Sequence, residues 1–254
     1  MDILQAIIIG IIEGFTEFLP ISSTGHMIIA SEFLGIEQSA VVKAYEVIIQ
    51  FSAILAVILL YRDKINLKEI VLWQKIIVAF FPLAIVGFLL KDGIKEIFTV
   101  STVAWMFIIG GIIFLIVEYF HKDEASESKE LDDVSWRQAL IIGFGQVLSL
   151  VPGTSRAGST IIAGMLSGVN RKASTEFSFL LAIPVMMAVS GYDLLKHYQD
   201  FIGADLTAFA VGFVVAFIVA YATIKLLIVF LQRFTFVAFG IYRIIFGVIL
   251  LMIL

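Results

Sequence analysis

The sequence has no cysteine, four prolines and three histidines, and only 15% of its 254 residues are charged. Without cysteine there is no disulfide, no thiolate nucleophile and no cysteine metal site, although the compartment stays open. The charges sum to −4 with no basic tract, which removes the electrostatic footprint of a nucleic-acid-binding protein. The amino-terminal Met1-Asp2-Ile3 lacks the basic segment that opens a cleavable signal peptide, so the first apolar stretch is expected to stay in the mature protein.

What the sequence has in excess is apolar side chain: 61% of residues are hydrophobic and the mean hydropathy is +1.06. Soluble domains carry about 45–50% apolar and about 25% charged residues, and a chain of this size has no water-soluble core large enough for the surplus. The apolar residues fall in long runs, for which lipid is the natural solvent. Six runs, at about 43–61, 76–91, 101–120, 173–196, 206–231 and 234–254, are long enough or nearly so to cross roughly 30 Å of hydrocarbon. Two more, at about 2–34 and 136–168, are broken near their middles by Pro and Gly followed by a polar cluster. Broken polar backbone at membrane depth survives only where protein or a wet cavity satisfies it, so both are expected to be re-entrant hairpins. The expected fold is an all-α integral membrane protein of six transmembrane helices plus two re-entrant helical hairpins.

The broken segments resemble each other. Gln5-Ala6-Ile7-Ile8-Ile9-Gly10 is echoed by Gln138-Ala139-Leu140-Ile141-Ile142-Gly143, with Glu13 opposite Gln146. One residue then slips out before Pro20-Ile21-Ser22-Ser23 meets Pro152-Gly153-Thr154-Ser155. Lys43-Ala44 and Glu46 are loosely echoed by Lys172-Ala173 and Glu176. The chain is expected to be one membrane domain made of a first repeat (1–120), an acidic linker (121–135) and a second repeat (136–254). Three spans per repeat is an odd number, so the second copy is inverted. Arg62, Lys64, Lys68, Lys75, Lys122, Lys129, Arg137, Arg171, Lys172 and Arg233 gather on one side, against Lys43, Lys91, Lys95 and Lys196 on the other. The positive-inside rule makes the first side cytoplasmic. The first hairpin then enters from outside and the second from the cytoplasm, their tips meeting near the midplane. The linker, with six acidic residues between Lys122 and Asp133, reads as a solvated loop.

The tips carry the chemistry. Glu13 and Glu17 share a helix face one turn apart, and two carboxylates in a membrane call for a partner, a proton or a cation. A hard divalent ion such as Mg²⁺ or Ca²⁺ takes carboxylate oxygens, often together with substrate phosphates. Their unadorned reading is the lining of a wet vestibule. Ser22 or Ser23 is placed to cap the helix after Pro20, and backbone N–H groups there form an anion site. Ser23 is a candidate nucleophile in need of a base, and His26, one turn on, has a pKa suited to proton transfer. On the second tip, Arg156 offers a fork of donors that suits phosphate oxygens, and glycines such as Gly153 let backbone approach a ligand. Arg156 could equally pair with Glu13 or Glu17 in a structural role. Glu46, Gln50, Glu176 and Ser178 are expected to line the cavity, His121 and His197 to sit at span ends, and Trp73, Trp105 and Trp136 to anchor at the interface. The set suits a phosphate or pyrophosphate ester. Inverted repeats with broken helices are also a transporter signature, so a carrier or flippase of a phosphorylated lipid is the competing reading.

Glu13-Gly14-Phe15-Thr16-Glu17-Phe18-Leu19-Pro20-Ile21-Ser22-Ser23-Thr24-Gly25-His26 resembles the first signature of the undecaprenyl pyrophosphate phosphatase family, and Pro152-Gly153-Thr154-Ser155-Arg156-Ala157-Gly158 the second. The resemblance implies hydrolysis of undecaprenyl pyrophosphate to undecaprenyl phosphate and inorganic phosphate. That reaction recycles the lipid carrier of bacterial cell-wall synthesis, and the family is linked to bacitracin resistance. It implies a divalent cation, a polyprenyl pyrophosphate lipid as partner, and a place in the bacterial inner membrane with the site opening to the periplasmic or extracellular side; a homodimer is compatible. Carried over by position, Glu13 and Glu17 hold the metal or act as acid and base, and Ser23 or His26 is the nucleophile. Arg156, with Thr154 and Ser155 and flanked by Gly153, binds the phosphates, assisted by Ser22 and Thr24 on the first tip.

Overall fold

A computed structural model describes residues 1–37, 39–201 and 206–253, and among these every regular element is a helix. In chain order the α-helices are α1 (Ile3–Thr16), α2 (Ser23–Phe33), α3 (Ala40–Leu60), α4 (Ile70–Glu96), α5 (Val100–Phe120), α6 (Trp136–Gln146), α7 (Arg156–Leu166), α8 (Arg171–His197), α9 (Thr207–Leu231) and α10 (Val237–Ile253), with short 3₁₀ turns between them. Five of these, α3, α4, α5, α8 and α9, are long and apolar enough to cross a membrane. The sixth expected span is the shorter apolar helix α10, of 17 residues. The side chains of Lys91, Lys95 and His197 lie outside the described residues.

The two broken segments are helix pairs, α1–α2 and α6–α7, and their ends are built alike. Asp2 with Gln5 and Ser135 with Gln138 form capping boxes, which satisfy the first amides of α1 and α6. Gln5 Nε2 then donates to the Leu34 carbonyl at 3.1 Å and Gln138 Nε2 to the Ser167 carbonyl at 3.1 Å, tying each hairpin's base. Both returning helices begin after a serine with positive φ, Ser22 (70°) and Ser155 (76°). Both end before a glycine with positive φ, Gly35 and Gly168. The spacing from Gln5 to Gln138 is therefore kept from Ser22 to Ser155 and from Gly35 to Gly168. This corrects the one-residue slip inferred from the two prolines: Pro20 stands opposite Gly153, not Pro152.

Packing repeats the pattern. α1 lies along α9 and α6 along α4, while α3 meets α8 and α5 meets α10. Small residues set the distance, because lipid tails give helices no hydrophobic reason to associate and close backbone contact must supply the attraction. A Cβ on Gly10 would come 2.5 Å from the Gly212 carbonyl, and one on Gly14 2.5 Å from that of Ala216. Gly143 makes the corresponding approach to the Ala79 carbonyl at 2.5 Å. Many large apolar side chains that remain exposed, such as Phe88, Leu89, Ile116 and Ile218, lie on the long helices.

The linker keeps nearly all its charged residues exposed, as expected from its charge, yet it is anchored at four points. Ser126, Ser128, Leu131 and Val134 are buried. Backbone bonds join Glu127 and Ser128 to Gly168 and Asn170 to Ser128, and Ser128 Oγ donates to Gln138 at 2.9 Å. Among its acids, Asp123 and Asp132 pair with cations outside it. Lys64 pairs with Asp132 at 2.7 Å, which raises the Lys64 ammonium above its usual range, and Arg171 bridges Glu118 (2.6 Å) and Asp123. Burial alone would lift the Asp123 carboxyl, but the hydrogen bonds and charge of Arg171 and His121 outweigh it and hold it below the usual carboxylate range. Trp73 donates to the Lys64 carbonyl at 2.8 Å, and Trp105 and Trp136 are exposed as expected of interfacial anchors.

Candidate active site

The hairpin tips meet. α1 ends at Thr16, and Glu17 continues its turn, its N–H donating to the Glu13 carbonyl at 2.9 Å, so both carboxylates leave the same helix end. The chain then turns through Phe18–Ser22 into α2. On the other side α6 gives way to a 3₁₀ turn, Val147–Leu150, and the tip at Pro152–Ser155 leads into α7. Gly153 is required there twice over, by a φ of +89° and by the Val103 carbonyl 2.7 Å from where its Cβ would stand. Ser22 and Ser155 adopt backbone conformations that L residues avoid, at a cost on the order of 1–3 kcal/mol each. Strain at matching positions of both tips marks a place where geometry has been favoured over stability.

Ser23 Oγ donates to Glu17 Oε2 at 2.6 Å, and Arg156 Nη2 donates to Glu17 Oε1 at 2.8 Å. One carboxylate thus joins the first residue of α2 to the first residue of α7. Arg156 and Glu17 are almost wholly buried, with side chains 8% and 5% exposed, so their attraction is little screened. Arg156 Nη1 donates onward to the Ser178 carbonyl at 3.1 Å, and Ser178 Oγ shares a proton with Thr160 Oγ1 at 2.6 Å. These groups border a cavity of about 190 Å³ lined by Glu17, Ser22, Ser23, Thr24, Ser155 and Arg156, together with Gln50, Gly153 and apolar side chains of α4 and α8. Both returning helices start on this cavity. Ser155 Oγ caps α7 through the Gly158 N–H at 3.0 Å, whereas Ser22 makes no side-chain cap, so the first amides of α2 have no capping side chain.

Several buried polar atoms of the two tips and of the helix ends leading into them have no partner: both oxygens of Glu13, Thr154 Oγ1, Arg156 Nε and both amide atoms of Gln146, with the Tyr45 hydroxyl on α3 as a further case; of these residues only Arg156 lines the cavity. Unmet buried groups are expensive and rare, and their concentration at the tips points to something that binds there. The second tip is left with unused donors and the first with an unused carboxylate, which is the division that an anion and its counter-cation would satisfy. Among the described residues no group of three or more His, Asp or Glu gathers in ligand range. Glu13 and Glu17 fit a hard cation whose remaining ligands come from phosphate and water.

Not every expected residue faces this cavity. His26 Nδ1 meets the Ser22 carbonyl at 2.7 Å, which assigns the proton there, so Nε2 accepts from the Tyr242 hydroxyl at 2.6 Å. The ring stacks on Phe246 and borders a separate apolar groove of about 560 Å³ between the first hairpin and α10. Glu46 accepts from Ser31 Oγ at 2.9 Å, and Glu176 stands among the linker charges Lys172, Glu130, Lys64 and Asp132. The reading of the motifs also missed Arg243, fully buried between the tips. The signal for it was a lone arginine in an apolar run.

Similarity to known proteins bears on this geometry. A family model described as "Bacitracin resistance protein BacA" matches residues 6–249. A protein of Sulfurovum sp. (strain NBC37-1) named "Undecaprenyl-diphosphatase" is 71% identical over 254 residues, which is 100% of both chains. Its counterpart of the same name in Sulfurimonas denitrificans is 62% identical over 99% of both chains. "Undecaprenyl-diphosphatase 2" of Pseudoalteromonas translucida is 59% identical over 99% of this chain and 98% of its own.

Proposed function

The chain belongs to the bacitracin resistance protein BacA family, and on that footing we propose that it hydrolyses undecaprenyl pyrophosphate to undecaprenyl phosphate and inorganic phosphate at the two hairpin tips. The observation that carries this reading is the relay Ser23–Glu17–Arg156, with links of 2.6 and 2.8 Å, on a cavity where two helices begin.

The terminal phosphate is held by the amides at the start of α2, by the unpartnered Thr154 hydroxyl and by Arg156, whose free Nε gains an acceptor. Ser23 Oγ attacks the terminal phosphorus while its proton passes to Glu17. The bridging P–O bond breaks and undecaprenyl phosphate leaves as the anion. Water then cleaves the Ser23–phosphate ester, with Glu17 orienting it and the proton returning to Ser23. Glu13, with Glu17 beside it, would hold a divalent cation, and such an ion would neutralise phosphate charge. His26, locked by Ser22 and Tyr242, fixes the first turn of α2. This geometry supports Ser23 as the nucleophile, between two candidates that the sequence leaves equal.

The topology proposed with it is six spans, α10 being the last, and two re-entrant hairpins in inverted repeats, with the site open to the periplasmic face of the inner membrane. The matched caps and close approaches of α1–α9 and α6–α4 support the repeat, and the same matching favours a carrier as the second reading. Release of phosphate by purified protein in detergent, where sidedness is lost, separates the two. Turnover supports the hydrolase; folded protein that binds the lipid and releases nothing supports the carrier.

A further inference from the structure

Arg243 sits in the middle of α10, on an otherwise apolar helix, and is fully buried. A charge at that depth is tolerated only when every donor is met. A guanidinium has five N–H donors in one plane, and here they reach five carbonyl oxygens. Nε donates to Phe107 at 3.4 Å; Nη1 to Pro20 at 2.9 Å and Thr154 at 3.0 Å; Nη2 to Met106 at 2.8 Å and Gly153 at 3.0 Å. Its Cζ lies 5.4 Å from the centre of the Phe107 ring. α5 leaves room for it at Gly110, where a Cβ would collide with Nη2.

Three of those carbonyls belong to the tips: Pro20 to the first, Gly153 and Thr154 to the second. Each lies within three residues of a group the reaction uses, Ser23 on one side and Arg156 on the other. The side-chain link between the tips, Glu17 to Arg156, is one that a bound phosphate competes for. The Arg243 links run to backbone and are untouched by a ligand. We infer that Arg243 is a positioning residue that fixes the separation of the two tips, so that Ser23 and Arg156 address the same phosphate; this rests on the hydrolase reading above. Lysine cannot replace it, since one ammonium cannot reach acceptors arrayed around a plane.

The chain has no cysteine, so paired spin labels at Phe15 and Leu148, both exposed, report the distance between the hairpins without other reactive sites. In Arg243→Met the label distribution broadens, and kcat for phosphate release from undecaprenyl pyrophosphate falls about 100-fold with KM within about threefold, as for a displaced reactive group. Arg243→Lys, which keeps charge and length, behaves alike, and Gly110→Ala reproduces both effects by pushing the guanidinium aside. These two carry the test where Arg243→Met is not recovered folded. A narrow, parental distribution with parental kcat in Arg243→Met, or in the two gentler variants, overturns the inference. The distance measurement needs no substrate. A parent that releases no phosphate sinks the hydrolase reading, while broadening on Arg243→Lys still upholds Arg243 as the pin between the tips.

Discussion

Glu17 is the residue on which the site turns, because its two oxygens serve different partners. Oε2 accepts the Ser23 hydroxyl hydrogen bond and Oε1 that of Arg156. Removing it leaves a buried arginine short of its counter-charge, a change that costs about 3–5 kcal/mol in comparable buried pairs. Glu17→Ala is therefore expected to abolish turnover and to lower the unfolding temperature in detergent as well. Glu17→Gln, which keeps one acceptor, should lose turnover with a smaller loss of stability. Ser23→Ala removes the proposed nucleophile and is expected to lower kcat by roughly a thousandfold or more, whereas His26→Phe, in its stack with Phe246, should keep activity within about tenfold. Equal losses in the two variants would return the nucleophile question to where the sequence left it. The sequence names these residues but not their faces. Ser23 and His26 are three positions apart on one helix, yet the imidazole folds back to its own turn's carbonyl and looks into another cavity. Arg243 escaped because no motif surrounds it; its meaning is five backbone acceptors from three distant segments.

At the scale of elements, the hairpins and long helices were legible because their signals are local. Run length, breaks at Pro and Gly, and the repeated Gln-Ala-x-Ile-Ile-Gly motif need no tertiary knowledge. The anchoring of the linker was not legible because its four buried residues follow no period and it is held by pairing to the α7–α8 turn. Small residues at the α1–α9 and α6–α4 contacts predict that Gly10→Val drives its side chain into the Gly212 carbonyl, a cost of about 1–3 kcal/mol. Its thermal unfolding in detergent should shift down clearly, and an unchanged midpoint would mean that the helices part freely. The linker also carries a pH signature. Asp123 sits below the usual carboxylate range in the folded chain, so its stabilisation is present above the unfolded value of about 3.9 and is lost as pH falls through the folded value. The stability gap between the parent and Asp123→Asn, present at neutral pH, should close in acid; a gap that persists there would assign Asp123 a packing role instead.

For the whole molecule, the arrangement places two ends of broken helices at one cavity inside an apolar shell, which keeps a charged reaction beside the lipid that carries its substrate. The orientation proposed from the basic loops predicts that a cysteine at Gly35 reacts with an impermeant reagent from outside the cell while one at Asn66 does not. The reverse pattern would invert the molecule and open the site to the cytoplasm. The register of the repeat was nearly readable: the prolines suggested a slip that the matched serines and glycines remove.

The central claim is that the tips hydrolyse a lipid pyrophosphate. It is tested most directly by phosphate release from undecaprenyl pyrophosphate by purified protein, first with Mg²⁺ or Ca²⁺, then with chelator, beside Glu17→Ala. Metal-dependent release by the parent and none by the variant is the predicted result. Folded parent that releases no phosphate with either metal, or a variant that turns over at the parental rate, would contradict it.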